Sequence, residues 1–315
     1  MGPLARTGIG VALTCGVLVT AVSIGQNSDN DSQKAPATAP HKETPKGPYV
    51  ALGDSYTSGP KIPPQTGDPA GCDRSGRNYP ALVAKELGLR TADFRDVSCS
   101  GATIADLTAP QSTDHGTNPA QLSALATTTK LVTLGIGGND IGFSSVITKC
   151  VTTGTLFKLA DKLTDITDKA PCKEKYTSGT DEVTRKIRAT GDRLARALTE
   201  IERRAPKARV YVVGYPAILP AKGTACSRDM PLAPGDVTFL RQKQQELNTM
   251  LGERARASGA TYVDTFTPSA GHDACSPAAT RWIEPLNPSS PAAVVHPNEH
   301  GERGMATAVL SALKS

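Results

Sequence analysis

Five short apolar runs rich in β-branched residues punctuate the chain, at Tyr49 to Leu52, Phe94 to Val97, Leu131 to Leu134, Val210 to Val213 and Thr261 to Val263. Runs of this length and composition predict strands buried on both faces. Helical patterns separate them, at Tyr79 to Leu87, Pro119 to Ala126, Asp181 to Ala205, Asp236 to Ser258 and Glu299 to Leu313. Strands alternating with helices constrain the fold to α/β, a parallel sheet covered by helices on both faces. Within Asp181 to Ala205, Val183, Ile187, Leu194, Leu198 and Ile201 recur at helical spacing while Arg and Glu fill the other positions, so one face packs on the sheet and the other meets water. Cys150 to Cys172, partly helical through Leu156 to Ile166, breaks the rhythm and is expected to be an insertion beside the site.

The 315 residues suit one large catalytic domain, 48–315, behind a leader and a linker. Gly8 to Gly25 is an apolar stretch behind Arg6 and ends in small residues, which predicts a secretory signal peptide over 1–25, cleaved near Ser23 or Gly25. The rival reading is an uncleaved anchor, although the stretch is short for a bilayer span. Ala12-Leu13-Thr14 ahead of Cys15 is a poor lipobox, and the apolar run continues past that cysteine. Residues 26–47 are Asn, Asp, Ser, Ala, Pro and Lys with almost nothing to bury, which predicts a disordered linker and a candidate cell-surface tether.

Net charge is +5, but the basic residues are spread along the chain and many fall on the Asp181 to Ala205 helix, the pattern of a solvated face. No nucleic-acid partner is expected. Without Cys15 six cysteines remain, at 72, 99, 150, 172, 226 and 275. They predict three disulfides in an oxidising compartment, with the connectivity left open by spacing; ligand-type cysteine spacings are missing, so no metal is expected.

In an open parallel sheet, reactive groups gather at the carboxyl ends of the strands. Ser55, Gly101 and Asn139 each follow a predicted strand, within Gly53-Asp54-Ser55-Tyr56, Ser100-Gly101-Ala102-Thr103 and Gly135-Ile136-Gly137-Gly138-Asn139-Asp140. A serine hydroxyl needs a base to take its proton. Of the five histidines, His41 lies in the linker, His115 and His272 sit in loops, and His296 and His300 flank the start of the last helix. The loop before that helix lies at the sheet edge of the first strand, which brings His296 within reach of Ser55. The Ser55 and Gly101 backbone N–H groups and the Asn139 side chain would supply an oxyanion hole. Taken singly, Gly-Asp-Ser and Gly-Gly-Asn-Asp are ordinary turns; their occurrence in this order carries the inference. Asp54 and Asp140 are read as turn and cap residues. A Gly-x-Ser-x-Gly elbow would need glycine where Thr57 stands, and a dinucleotide fingerprint would need it at Asp140.

Gly53-Asp54-Ser55-Tyr56, Ser100-Gly101-Ala102-Thr103, Gly137-Gly138-Asn139-Asp140 and His296-Pro297-Asn298-x-x-Gly301 resemble the four blocks of the GDSL or SGNH hydrolases, and within them the secreted actinobacterial lipases and esterases. The resemblance covers Pro48 to Ser315. It implies a flavodoxin-like α/β/α sandwich with a five-stranded, mainly parallel sheet. It also implies disulfides Cys72–Cys99, Cys150–Cys172 and Cys226–Cys275, nucleophile Ser55, base His296, and oxyanion donors Ser55, Gly101 and Asn139. Most members place an aspartate three residues before the histidine, where this chain has Ala293. Some secreted relatives use a backbone carbonyl instead, so a Ser-His dyad with the Ala293 carbonyl as acceptor is expected, with Glu284 or Asp273 as the remote-acid alternative.

The expectation is therefore a secreted, monomeric serine esterase or lipase acting on lipid esters, with no cofactor and no obligatory protein partner. Phospholipase A and carbohydrate acetylesterase activities are the alternatives, and a non-catalytic binding protein is the reading from another class. Phe143, Val146, Ile147, Leu156 and Phe157 are candidates to line an acyl groove, or else are simply core.

Overall fold

The computed structural model describes Gly2, Pro45 and residues 47–161, 170–221 and 229–315, with the backbone alone for 157–161. The chain divides into two units, Met1–His41 and Lys42–Ser315. The expected leader and most of the linker lie outside the described residues, and every predicted site residue belongs to the second unit.

The centre of that unit is a five-stranded, all-parallel sheet. In chain order the strands and principal helices are β1 (Tyr49–Gly53), α1 (Ser55–Ser58), α2 (Tyr79–Glu86), β2 (Phe94–Asp96), β3 (Gln111–Thr113), β4 (Gly116–Asn118), β5 (Leu131–Gly135), α3 (Phe143–Asp161), α4 (Pro171–Thr177), α5 (Glu182–Arg204), β6 (Arg209–Val213), α6 (Pro234–Ala257), β7 (Thr261–Val263) and α7 (Glu299–Lys314). The sheet order is β2-β1-β5-β6-β7, the doubly wound arrangement whose strand order reverses beside β1. All five predicted strands are present.

Side chains alternate across the sheet as the two-residue period requires. Val50, Leu52, Val132, Leu134 and Val212 point into one core, with Leu194 and Leu198 of α5 and Leu247 and Leu251 of α6. Tyr49, Ala51, Leu131, Tyr211 and Val213 point into the other, with Val83 of α2 and Met305, Val309 and Leu313 of α7. Helices on both faces explain why β1 and β5 are buried at every position and read as continuous apolar runs. The α5 stripe packs as its periodicity predicts, and Asp181 caps the helix by accepting from the Thr184 N–H at 2.9 Å.

Two expectations need correction, and one element is new. Pro119 to Ala126 forms only a 3-10 turn, Gln121–Ala124. Gln121 is occupied elsewhere: its side chain accepts from Gly53 N–H at 2.8 Å and donates to Gly53 O at 2.9 Å, filling both bonding positions of the strand end. The supposed insertion does not start at Cys150, because α3 begins at Phe143 and runs through it. The antiparallel hairpin β3–β4 had no apolar alternation to announce it, being built from Gln, Ser, Thr, Gly and Asn.

Two disulfides are described, Cys72–Cys99 and Cys150–Cys172. The expected third, Cys226–Cys275, involves Cys226, which lies outside the described residues; Cys275 is disulfide-bonded. Among the described residues no helix is long and apolar enough to cross a membrane.

Candidate active site

In the register of β1 and β5, Gly53 sits opposite Gly135, so the two strands end level and their following loops share one edge. Glycine at 53 is a steric requirement: a Cβ there would lie 2.5 Å from Gly135 O and 2.8 Å from Thr57 Cβ. The chain turns at once into α1. Asp54 is its N-cap, accepting from Tyr56 N–H at 2.9 Å, and Ser55 occupies the first helical position. The Asp54 cap matches the sequence reading.

Ser55 Oγ lies 2.7 Å from His296 Nε2. His296 arrives on the loop before α7, a helix capped by Asn298, whose Oδ1 accepts from the N–H groups of His300 and Gly301 at 2.9 and 3.1 Å. The other described histidines are elsewhere. His115 is in the β3–β4 turn, His300 is exposed on α7, and His272 stacks on Trp282 while its Nδ1 meets Thr280 O. His41 lies outside the described residues.

The ring's second nitrogen meets a different carbonyl from the one expected. His296 Nδ1 is 2.7 Å from the carbonyl of Val294, not that of Ala293. The Ala293 carbonyl accepts instead from the His296 backbone N–H at 3.3 Å. The cause is the left-handed turn at Val295, φ 59°, which swings the preceding carbonyl toward the ring. Neither remote-acid candidate hydrogen-bonds the ring. Glu284 is fully buried, but its carboxylate accepts from Asn298 Nδ2 at 2.7 Å and Ser289 N–H at 2.8 Å. Asp273 accepts from Cys275 N–H at 2.9 Å. Glu284 instead supports the loop by its backbone, donating to His296 O at 2.9 Å and accepting from Val295 N–H at 2.8 Å.

Burial holds the His296 ring below its ordinary 6.5; the Val294 carbonyl opposes this and the Lys61 cation adds to it. The neutral, proton-accepting form therefore persists below neutral pH.

Gly101 has φ 78°, a left-handed turn that glycine adopts without steric cost, in the loop after β2. That loop is tied to the strand ends: Cys99 N–H donates to Gly53 O and Ser100 N–H to Cys72 O, each at 3.0 Å, across the Cys72–Cys99 disulfide. Asn139 Nδ2 donates one hydrogen to Ala102 O at 2.9 Å, joining this loop to the one after β5. Its second hydrogen and the N–H groups of Ser55 and Gly101 have no acceptor among the described residues. Asp140 is not a helix cap but a second tie, accepting from Ile104 N–H at 3.0 Å and pairing with Arg193 at 3.1 Å.

Two tyrosines carry contacts that no short pattern revealed. Tyr215, after β6, donates to Asp54 Oδ2 at 2.6 Å and accepts from Gly138 N–H at 2.8 Å, coupling the serine turn to the Asn139 turn. Burial raises the Asp54 carboxyl to about 7, against the Tyr215 and Tyr56 hydrogen bonds. Tyr56 donates to Val295 O at 2.5 Å and lays its ring beside His296. Only their positions after strand ends could have drawn attention to them.

A pocket opens beside Ser55 and Asn139, its apolar lining Phe143 and Ile147 of α3, Ile218, Leu247 of α6 and Val295, and its polar lining including Asp54, Ser144, Tyr215 and Gln244. Of the predicted groove residues, Phe143 and Ile147 line it. Val146 is buried core, Leu156 is 65% exposed, and the Phe157 side chain is outside the described residues.

A parallel sheet bearing a serine and a histidine in contact at its carboxyl edge, beside a partly apolar pocket, has the layout of a hydrolase. The sequence model of the GDSL-like Lipase/Acylhydrolase family matches residues 51–303, and the chain belongs to that family. It is 44% identical over 280 residues to Lipase 2 of Streptomyces coelicolor, covering 87% of this chain and 88% of that one. Among solved structures it is similar to phospholipase A1 from Streptomyces albidoflavus, with 30% identity, TM-score 0.67 and coverage of 84% of this chain and 98% of that one. The extracellular lipase of Streptomyces rimosus is comparable, with 27% identity, TM-score 0.66 and the same two coverages. The chain is a carboxylic ester hydrolase.

Proposed function

We propose that this enzyme is a secreted lipase or esterase that cleaves fatty-acyl esters through an acyl-Ser55 intermediate. The observation that carries the reading is the 2.7 Å contact between Ser55 Oγ and His296 Nε2. His296 takes the Ser55 proton as Oγ attacks the ester carbonyl, then gives it to the departing alcohol. Water repeats the sequence on the acyl-enzyme, and Oγ leaves with its proton restored. The N–H groups of Ser55 and Gly101 and the free hydrogen of Asn139 receive the oxyanion. Val294 O fixes the imidazole so that Nδ1 carries the hydrogen and Nε2 is the base.

The apolar lining favours a hydrocarbon acyl group over acetylated sugar, and the contact between serine and base weighs against a non-catalytic binding protein. Disulfides are a mark of exported proteins, and one relative is an extracellular lipase, both of which support secretion. Likeness to a phospholipase A1 makes phospholipid the second reading. Rates on p-nitrophenyl esters from acetate to palmitate and on phosphatidylcholine test the assignment. Preference for medium or long acyl chains over acetate supports it, and selective release of the phospholipid sn-1 acyl group would favour the second reading.

A further inference from the structure

We propose that Tyr56 is the positioning residue for His296: its hydroxyl holds Val295 in the left-handed turn that aims the Val294 carbonyl at Nδ1. In a Ser-His-Asp triad a carboxylate orients the imidazole directly. Here that part falls to a backbone carbonyl, which is only as well placed as the chain that carries it. The inference rests on the reading of Ser55 and His296 as the reacting pair.

The turn at Val295 is unfavourable for its own side chain. A β-branched residue at φ 59° is an outlier, and such a conformation persists only where the surroundings over-determine it. Two hydrogen bonds hold the residue. Its N–H donates to Glu284 O at 2.8 Å, and its carbonyl accepts from Tyr56 Oη at 2.5 Å. The first is shared by a loop that has other supports; the second is the side-chain bond on this turn. Rotation about φ of Val295 is the motion that moves the Val294 carbonyl relative to residues 295 and 296. Letting go of the Val295 carbonyl therefore loosens the ring's acceptor.

Tyr56 is itself fixed. Its N–H is held by Asp54 Oδ1 at 2.9 Å, and its ring meets Tyr215 edge-on at 5.1 Å. It lies 4.9 Å from the His296 ring, centroid to centroid. One residue thus follows the serine in sequence and braces the histidine in space. Burial raises the Tyr56 hydroxyl far above its ordinary range, so it stays a donor at every working pH. The charged group that bears on the His296 ring is Lys61, while Asp54 lies behind Tyr56 and Glu284 supports the loop through its backbone.

The test compares wild type, Tyr56→Phe and the double variant Y56F/V295G on a short p-nitrophenyl ester, with circular dichroism and thermal melts confirming the fold. For Y56F, kcat should fall about tenfold or more with KM within about twofold. The acid limb of kcat/KM should move to lower pH, because the protonated ring loses an acceptor. Glycine adopts the left-handed turn without penalty, so Y56F/V295G should recover at least about threefold of the lost kcat. Wild-type kcat with an unmoved acid limb in folded Y56F would overturn the proposal, as would a folded double variant no better than Y56F. Ser55→Ala, assayed in parallel, separates the two readings. Turnover that survives in S55A sinks the dyad itself, whereas a dead S55A beside a wild-type-like Y56F sinks only the clamp.

Discussion

His296 Nδ1 meets the carbonyl of Val294 at 2.7 Å, and the candidate acid Glu284 spends its carboxylate on Asn298, Ser289 and Ser290. Glu284→Gln should therefore act on the loop more than on the chemistry. We expect kcat/KM within about tenfold of wild type, because loss of a true triad acid costs on the order of 10⁴ in kcat. Thermal stability should drop by about 1–3 kcal/mol, since a buried, multiply bonded carboxylate is disturbed. A fall of about 10⁴ in a folded variant would make Glu284 part of the catalytic machinery.

Burial lowers the His296 pKa below 6.5, and in the proposed mechanism the ring must be neutral to accept the Ser55 proton. Activity is thus retained above that pKa and lost as pH falls through it, so the acid limb of kcat/KM should have its midpoint below 6.5. Lys61→Ala should move that midpoint upward by removing a neighbouring cation. A pH profile on a neutral ester checks both directions.

Asn139 bridges to Ala102 O with one amide hydrogen, and its other hydrogen is the proposed donor to the reacting oxygen. Asn139→Ala should lower kcat by about 10²–10³, the usual effect of losing one oxyanion donor, with a much smaller change in KM. Steady-state kinetics with fluorophosphonate titration of active sites would show it.

Glu302 is wholly buried on α7, where Oε2 accepts from Tyr79 N–H at 2.7 Å and Oε1 has no partner among the described residues. Burial raises its pKa well above the ordinary value, so the folded state prefers the protonated acid. Its contribution to stability is complete below the unfolded pKa and is lost as pH rises through the folded one. Glu302→Gln keeps a neutral side chain at every pH. The variant should melt a few degrees above wild type near pH 8, with the gain shrinking toward pH 4. Melting curves at the two pH values decide it.

Much of the scaffold could be read from the sequence because its signals are local. A strand buried on both faces must be largely apolar, as β1 and β5 are; β6 and β7 are also found within a residue or two of their apolar runs, although β7 is a sheet edge exposed at Thr261. Where structure depends on distant partners the sequence was mute. The polar β3–β4 hairpin has no apolar face, and the Gln121 side chain bonds Gly53, 68 residues away. The meeting of Ser55 with His296, and of the Gly101 loop with Asn139, is legible because each residue sits in a short block at a strand end or helix start. The acceptor for His296 was misplaced by one residue, Ala293 for Val294, because a left-handed φ at a valine has no sequence signature. The contacts of Tyr56 and Tyr215 have no local signature for a related reason: their partners lie 239 and 161 residues away.

The most direct test of the account is covalent labelling. Folded enzyme treated with a fluorophosphonate and digested for mass spectrometry should carry a single adduct on Ser55, formed at least about 10³-fold more slowly in His296→Ala. An adduct on another residue, or none on active enzyme, would contradict the assignment of Ser55 and His296 as the reacting pair.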